Sequence, residues 1–297
     1  MATTLAILGG GAIGQLLAMD LCQHRHSPLL LTRPETTARI IQHQLQRLDG
    51  SIQQASLPHA PSNQPQHCDA VLVTTKAYQA ESALTPVLAW LPPSTPIVLL
   101  HNGMGPQQRL AQRFPEHNWW AGMLTDGALK LESHSVRHTG QGVRYLGPLS
   151  GQGQLPDALT EIGFISEAAI LPRLWQKLAV NALINPLTAC YGCTNGELAR
   201  PGHRAELQRL SDELAAVAKA EGIAMEAEQI LAWCLSVAEA TCSNRSSMLQ
   251  DVSAKRPTEI DAISGFVVER ARAHGLCADA HRHNLDRVSQ LSGCTKT

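Results

Sequence analysis

The sequence is poor in charged residues and has no excess of positive charge. Charged residues make up 16% of the 297-residue chain, and 24 Lys and Arg are balanced by 25 Asp and Glu. Proteins that bind nucleic acids usually carry a basic excess, so this balance argues against that class and favours small-molecule partners. Hydrophobic residues make up 44% of the chain, a share typical of globular proteins, which excludes wholesale disorder.

Long apolar runs are also missing. Runs such as 70–74 and 97–100 have the length of strands, whereas a transmembrane helix needs ~18 apolar residues or more. The first residues carry no basic segment of the kind that opens a secretory signal peptide. Without export, the eight cysteines are expected to be free thiols in a reducing compartment, so the sequence predicts a cytoplasmic protein.

The first half of the chain alternates short apolar runs with helical patterns, which predicts a doubly wound parallel sheet of the Rossmann type. Strands are expected at 5–8, 29–32, 70–74, 97–100 and 119–125, and helices at 12–24, 36–48 and 77–91. After residue 125, glycines and short alternating segments such as 142–146 predict antiparallel strands at the edge of this sheet.

The second part of the chain has a helical texture. Helices are expected at 174–184, 205–221, 227–241 and 257–274, with breaks at Pro186 and at several glycines. We therefore predict an α/β domain over residues 1–168 and an all-helical domain over residues 169–297. The active site is expected in the cleft between them, where small-molecule sites often form.

A glycine-rich segment follows the first predicted strand. Residues Gly9-Gly10-Gly11-Ala12-Ile13-Gly14 fit the pattern G-x-G-x-x-G and open a predicted helix. The first glycine of this pattern makes a tight turn, the second lets the backbone approach a pyrophosphate, and the third lets the helix pack on the strand. The helix N-terminus directs its free N–H groups at the phosphates. The segment therefore predicts a dinucleotide site at residues 9–14.

The residue after the second predicted strand indicates which dinucleotide is bound. NAD enzymes carry Asp or Glu about twenty residues beyond the glycines, where it binds the ribose 2′-hydroxyl. This chain carries Arg33 there. A planar guanidinium suits a 2′-phosphate, so the sequence predicts NADP(H) as the cofactor. A solvated loop arginine is the alternative interpretation.

Further strings occur in a fixed order along nearly the whole chain. They are Thr74-Thr75-Lys76-Ala77, His101-Asn102-Gly103-Met104-Gly105, Leu174 to Thr188, Asn195-Gly196-Glu197-Leu198, Ser246 to Asp251, and Thr258-Glu259-Ile260-Asp261. With the glycine segment, this set closely resembles the ketopantoate reductases. The resemblance implies a helical second domain like that of the 6-phosphogluconate dehydrogenases. It also implies an oxidoreductase that reduces the ketone of 2-dehydropantoate with NADPH to (R)-pantoate, in pantothenate and coenzyme A biosynthesis.

The same resemblance implies roles for individual residues. Lys177 is implied to be the general acid, and Glu259 to lie at the substrate and nicotinamide end of the site. Lys76 and Ala128 are implied to lie near the cofactor. The residues implied to hold substrate are Asn102, Asn181, Asn185, Asn195 and Ser247, and Asn102 is also implied to contact the cofactor.

Ketone reduction needs residues of these types. Hydride addition builds negative charge on the oxygen, so a donor must stabilise that charge and deliver a proton. Lys177 and Asn181 are four residues apart on a predicted amphipathic helix and share one face, which Asn185 continues. Glu259 and Ser247 also have structural interpretations, as a partner of a helix dipole and as a helix cap.

Two patterns that could suggest metal or redox chemistry lack the necessary context. Cys190 and Cys193 have C-x-x-C spacing, but they follow a helix and no second ligand pair lies at a suitable spacing. The histidine pairs at 24–26 and 281–283 fall at the ends of predicted elements. We therefore expect no metal site.

Two other functions are compatible with these patterns. A related NADP-dependent reductase of another small 2-keto acid would carry the same landmarks, since spacing alone does not distinguish small keto acids. A non-catalytic dinucleotide-binding sensor would keep the glycines but would have no need of Lys177 and Glu259. The sequence does not indicate an oligomeric state.

The arginine after the second strand gives a first testable prediction. Arg33→Ala is expected to weaken the use of NADPH with little effect on NADH, because only NADPH carries the 2′-phosphate. Steady-state kinetics with both cofactors measure this. An equal effect on the two cofactors, or no effect on either, would show that Arg33 does not recognise the phosphate.

Overall fold

The computed structural model describes residues 2–293. Its contacts divide the chain into two units. Residues up to His101 together with Pro106–Ile170 form the first unit, and Asn102–Gly105 together with the chain from Leu171 onward form the second. The short segment Asn102–Gly105 is thus grouped with residues far from it in sequence.

The first unit is built on a single mixed sheet. Its strands are β1 Thr4–Leu8, β2 Ser27–Thr32, β3 Arg39–Gln46, β4 Ile52–Pro61, β5 Ala70–Val73, β6 Pro96–Leu99, β7 Asn118–Leu124, β8 Gly127–Glu132, β9 Ser135–Gly140, β10 Arg144–Pro148 and β11 Phe164–Ser166. Its helices are α1 Ala12–Gln23, α2 Ala80–Leu88, α3 Pro106–Arg113 and α4 Asp157–Glu161, with a 3₁₀ turn at Ala77–Gln79.

The strand order confirms the predicted doubly wound sheet. Across the described residues the order is β11-β10-β7-β6-β5-β1-β2-β4-β3-β9-β8. The consecutive strands from β7 to β4 in this order are all parallel. Antiparallel strands extend both sides of this parallel core, β10 against β7 and β8 against β9, as the short segments after residue 125 predicted.

Strand β1 lies in the middle of the sheet and is covered on both faces. Leu5 and Ile7 belong to one hydrophobic cluster with residues of α1, whereas Ala6 and Leu8 belong to a second cluster with residues of α2. All four side chains are nearly inaccessible to water. A strand that is buried on both faces consists of a continuous run of apolar residues. The run at residues 5–8 is the reason why β1 was predicted correctly.

The helix predicted at 36–48 is wrong. This stretch forms strand β3, which pairs antiparallel with β4, a strand that the sequence analysis did not predict. Burial alternates along the end of β3, where His43 and Leu45 are buried and the residues between are partly exposed, while Ile40 is exposed. The turn that joins the strands contains Asp49-Gly50, with Gly50 at φ +84°. Asp-Gly is a strong hairpin signal, and it was the evidence against a helix.

The second unit is helical, as predicted. Its helices are α5 Ile170–Tyr191, α6 Arg204–Ala220, α7 Ala227–Ala240, α8 Ser247–Ser253, α9 Phe266–Ala273 and α10 Asp279–Leu291, with 3₁₀ turns at Asn195–Ala199 and Pro201–His203 and a π-helical turn at Asp261–Gly265. Trp175 on α5 packs edge-on against Phe266 on α9, with 5.6 Å between ring centroids. Within residues 2–293, no helix combines the length and the apolar character needed to cross a bilayer.

The predicted break at Pro186 is also wrong. Helix α5 continues through Pro186 to Tyr191, although proline removes one backbone hydrogen bond. The residues that follow are strongly buried, with Leu187 and Thr188 at 0% exposure. Burial of this last turn outweighs the local cost of the proline.

A buried ion network supports the first unit beneath α1. The Arg144 guanidinium donates two hydrogen bonds to the Asp126 carboxylate, both of 2.9 Å, and one of 2.6 Å to the carbonyl oxygen of Ile162. Its Nη1 also lies 2.9 Å from Asp20 Oδ2 on α1. The Asp126 side chain is 1% exposed, so its charge depends on this partner.

This network gives a stability prediction. Asp126→Ala is expected to lower the free energy of unfolding by about 3 kcal/mol, the low end of the range for breaking a buried pair, because Asp20 still contacts the guanidinium. Urea denaturation measures the change. The control is Glu81→Ala, which removes the exposed ion pair with Arg113 and should cost under ~1 kcal/mol. Equal losses in the two variants would contradict the assigned role of Asp126.

Candidate active site

The turn between β1 and α1 can accommodate only glycine at two of its positions. Gly9 has φ +124°, and a Cβ built there would lie 2.7 Å from the backbone nitrogen of Thr75. A Cβ at Gly14 would lie 2.0 Å from the carbonyl oxygen of Gly9. These contacts bring α1 close to the strand, as the glycine pattern predicted.

The same turn is open on its outer side. Within residues 2–293 and apart from the adjacent residues, a Cβ built at Gly10 or Gly11 would meet no atom within 4 Å. No side chain caps the N-terminus of α1 at Gly11, and its first turn carries no acidic residue. The helix therefore presents free N–H groups and its positive end beside open space. This cradle fits the pyrophosphate of a dinucleotide.

Two side chains that the sequence analysis missed hold the turn in place. The carbonyl oxygen of Gly10 accepts a hydrogen bond of 3.0 Å from Gln15 Nε2 and one of 3.3 Å from Lys130 Nζ on β8. Gln15 is 1% exposed, an unusual burial for a polar side chain in the first turn of a helix. No short-range signal in the sequence indicates that β8 reaches this turn.

Two other predicted cofactor residues follow strands adjacent to β1. Arg33 is exposed directly after β2, and Lys76 is half-buried between β5 and the 3₁₀ turn. Because β5, β1 and β2 are parallel neighbours, their carboxyl ends share one edge of the sheet with the glycine turn. Ala128 lies on β8 and packs against the cluster that contains α1.

Asn102 and Glu259 are joined by a hydrogen bond in the second unit. Asn102 Nδ2 donates to Glu259 Oε2 over 3.1 Å, and Glu259 is 6% exposed. The backbone N–H of Met104 donates to the carbonyl oxygen of Ala262 over 2.8 Å. Gly103 has φ +77°, and a Cβ there would lie 2.3 Å from the same oxygen. The glycine therefore lets the segment that contains Asn102 lie directly against the turn after Glu259.

That turn has π-helical geometry. The π-helix spans Asp261–Gly265 and leads without interruption into α9. The carbonyl oxygen of Glu259 accepts hydrogen bonds from the N–H groups of Ala262 and Ile263, at 3.0 and 3.1 Å. Single π-helical turns are uncommon and are frequent at functional sites. Glu259 therefore lies just before the helix, and its carbonyl oxygen accepts the first hydrogen bonds of the helical turn, slightly after the helix start that the sequence predicted at residue 257.

Helix α5 carries the three polar residues that the sequence placed on one face. Lys177, Asn181 and Asn185 follow one another at intervals of four residues. Lys177 and Asn181 are half-buried, whereas Asn185 is 7% exposed. The polar face of α5 therefore has a partly accessible ammonium at Lys177 and a buried amide at Asn185.

The predicted substrate residue Ser247 is the first residue of α8 and is exposed. The cap of that helix is its neighbour Ser246, whose Oγ accepts a hydrogen bond of 3.1 Å from the N–H of Leu249. Thr188 Oγ1 on α5 lies 2.6 Å from Ser246 Oγ. The capping interpretation thus belongs to Ser246, and this contact ties the start of α8 to the helix that carries Asn185.

Asn195 is anchored elsewhere in the second unit. Its Nδ2 donates to Thr241 Oγ1 over 2.9 Å, and its backbone N–H donates to the carbonyl oxygen of Asn244. Its Oδ1 is buried without a hydrogen-bond partner. The hydrogen bonds of its side-chain and backbone nitrogens hold the 3₁₀ turn Asn195–Ala199 against the end of α7.

Cys190 and Cys193 are free thiols. Burial raises the pKa of both thiols above the ordinary value, and the charges of Arg287 near Cys190 and Arg200 near Cys193 oppose this shift only in part. A raised pKa keeps a cysteine protonated and unreactive.

Comparisons with known proteins cover both units. The family described as "Ketopantoate reductase PanE/ApbA" matches residues 5–151, and "Ketopantoate reductase PanE/ApbA C terminal" matches residues 169–291. A 2-dehydropantoate 2-reductase of Vibrio cholerae is 36% identical over 301 residues, which cover 97% of this chain and 97% of that protein.

Solved structures agree with this pattern. A PanE/ApbA family ketopantoate reductase from Ralstonia eutropha has a TM-score of 0.87 and 26% identity, covering 98% of both chains. A D-mandelate dehydrogenase solved with NADH and anilino(oxo)acetate has a TM-score of 0.88 over 98% of both chains. At 23% identity, that second likeness shows the fold alone.

Two glycines of the turn can be tested against each other. Gly14→Ala is expected to lower the free energy of unfolding by about 1–3 kcal/mol, because its Cβ would overlap the Gly9 carbonyl. Gly11→Ala should leave stability unchanged, yet weaken NADPH binding at least ~10-fold, because its methyl group would enter the open cradle. Thermal unfolding and fluorescence titration with NADPH separate the two effects. Unchanged NADPH affinity in Gly11→Ala would show that the cradle is not the pyrophosphate site.

Proposed function

The chain belongs to the ketopantoate reductase family, and from that membership we propose that it reduces 2-dehydropantoate to (R)-pantoate with NADPH. The observation that carries this proposal is 36% identity over 97% of both chains with a 2-dehydropantoate 2-reductase. In a cell this reaction would supply pantoate for pantothenate and coenzyme A synthesis. The proposed setting is the cytoplasm, and the proposed partner is a small keto acid rather than a nucleic acid.

The first unit supplies the dinucleotide site. When bound, NADPH supplies the hydride that adds to the ketone carbon. The open turn at Gly10 and Gly11 and the uncapped start of α1 would hold the pyrophosphate. Arg33, exposed after β2, would bind the 2′-phosphate, and Lys76 would contribute a second positive charge near the cofactor.

Lys177 is the proposed general acid. As the ketone accepts the hydride, its oxygen becomes an alkoxide, and a cationic ammonium both stabilises this charge and donates the proton. A lysine side chain is protonated near neutral pH. Half-burial on α5 limits the competition of water with the substrate oxygen, which strengthens the electrostatic contribution of the ammonium.

Glu259 and the amides would hold the substrate around that ammonium. The Glu259 carboxylate can only accept hydrogen bonds, and Asn102 already donates one to it. It can accept a further one from a substrate hydroxyl or from the Lys177 ammonium. Asn181 and Asn185 would add amide donors for the substrate's oxygens. Ser247 and Asn195 are proposed as further substrate contacts.

A panel assay tests the substrate. NADPH oxidation by the purified chain is expected to be fastest, as kcat/KM, with 2-dehydropantoate, compared with pyruvate, 2-ketoisovalerate and phenylglyoxylate. A higher kcat/KM with one of the other keto acids would favour the alternative of a related reductase. NADPH binding without turnover of any of the four would favour a dinucleotide-binding sensor.

Replacing Lys177 tests the mechanism. Lys177→Ala is expected to lower kcat at least ~100-fold, the usual scale of a general acid, and to leave NADPH affinity near normal. NADPH fluorescence and turnover are measured on the same sample. The matched control is Lys219→Ala, an exposed lysine at the end of α6, which should retain full turnover.

Two results would contradict this role. Near-normal turnover in Lys177→Ala would show that the proton comes from another group. A parallel loss of NADPH binding would make Lys177 a cofactor-binding or structural residue.

A further inference from the structure

Three histidines meet on the first unit, although the sequence analysis expected no metal site. His43 lies on β3, His59 on β4, and His134 in the turn between β8 and β9. One ring nitrogen from each lies within 4.8 Å of the other two. His43 and His59 are buried, and His134 is partly exposed. The cluster was not predictable because residues 36–48 were expected to form a helix.

The spacing of the rings is close to that of imidazoles on a metal ion. Three imidazoles bound tetrahedrally with Zn–N bonds of about 2.0–2.1 Å have ring centroids about 5.2 Å apart. In this cluster the centroid distances are 5.1 Å for His43 and His59, 4.8 Å for His43 and His134, and 5.9 Å for His59 and His134. The three rings therefore have separations close to those of imidazoles that share one metal ion.

The hydrogen bonds around Gln15 fix the tautomer of His43. Gln15 Nε2 donates to the carbonyl oxygens of Gly10 and Ser133, at 3.0 and 3.1 Å. Its Oε1 therefore faces His43 Nδ1 at 3.0 Å, so Nδ1 must carry the proton and donate. The lone pair of neutral His43 is then on Nε2, which points to the other histidines. A metal-binding histidine typically donates its second ring N–H to an oxygen in this way.

We propose that His43, His59 and His134 form a binding site for a divalent transition-metal ion of the zinc class. Imidazole nitrogens suit Zn²⁺ rather than Mg²⁺ or Ca²⁺, which prefer oxygen ligands. Three protein ligands leave a fourth position for water. His134 is the ligand nearest to solvent, in a surface pocket that it shares with Glu132 and His43, so the ion enters from that side.

Metal binding requires one change of tautomer. Without metal, His59 Nε2 donates a proton to the bare His43 Nε2 over 2.9 Å. To bind the ion through Nε2, His59 releases this proton to water and takes one up at Nδ1. The number of protons on the ring is unchanged, and both Nε2 lone pairs then face the ion.

Calorimetry with Zn²⁺ on the full chain, stripped of metal with a chelator, tests the site. His134→Ala removes the partly exposed ligand and is expected to weaken the binding of one Zn²⁺ at least ~100-fold. Loss of a group that only hydrogen-bonds to a ligand typically weakens metal binding by ~10–100-fold. Gln15→Ala retains all three ligands and should weaken it ~10–100-fold. His67→Ala, an exposed histidine of the same unit, should bind Zn²⁺ as the unchanged chain does. Zn²⁺ should also raise the Tm of the unchanged chain but not that of His134→Ala.

The same experiment can overturn the proposal. If the unchanged chain and His134→Ala bind Zn²⁺ equally, or if neither takes up a stoichiometric ion, the three histidines form a hydrogen-bonded packing cluster and not a metal site. If His134→Ala does not fold, as judged by its metal-free Tm, Gln15→Ala decides, and unaltered Zn²⁺ affinity in that variant contradicts the site.

Discussion

The close approach of Gly14 to Gly9 is the constraint on which the first unit depends. The carbonyl oxygen of Gly9 occupies the space of any side chain at position 14, and it accepts a hydrogen bond of 2.8 Å from Thr74 Oγ1. This bond joins the turn after β1 to the end of β5. The start of α1 is thereby fixed beside the carboxyl ends of β5, β1 and β2, where open parallel sheets bind ligands.

The contact between Asn102 and Glu259 in the second unit depends on backbone hydrogen bonds in the same way. Asn102 is oriented by Glu259, and the segment around it is held because Met104 N–H bonds to the Ala262 carbonyl. A buried carboxylate is costly unless hydrogen bonds compensate for the lost water. A π-helical turn begins two residues after Glu259, so the carboxylate lies beside a local departure from α-helical geometry. The positions of Asn102 and Glu259 are therefore fixed by contacts between two segments that are distant in the sequence.

Sequence patterns predicted the parts of the fold that rest on local periodicity. The apolar run at β1, the glycine turn and the face of α5 with Lys177 were predicted from spacing within about one helix or strand. The pairing of Asn102 with Glu259 joins residues 157 positions apart and has no local signal. The hydrogen bond from Lys130 to the Gly10 carbonyl oxygen also has no local signal, because this bond depends on which strand lies at the far edge of the sheet.

The wrong helix at 36–48 shows how one local error conceals a distant contact. A helical period fits Ile40, Ile41, Leu45 and Leu48. Ile40 is 74% exposed and Leu45 is fully buried, however, so the apolar residues with this spacing do not form one buried face. With β3 as a strand, His43 lies against His59 and against Gln15, whose amide also holds Gly10. A single buried glutamine thus connects the histidine cluster to the dinucleotide turn. Any ligand that orders His43 would act on that turn through two hydrogen bonds.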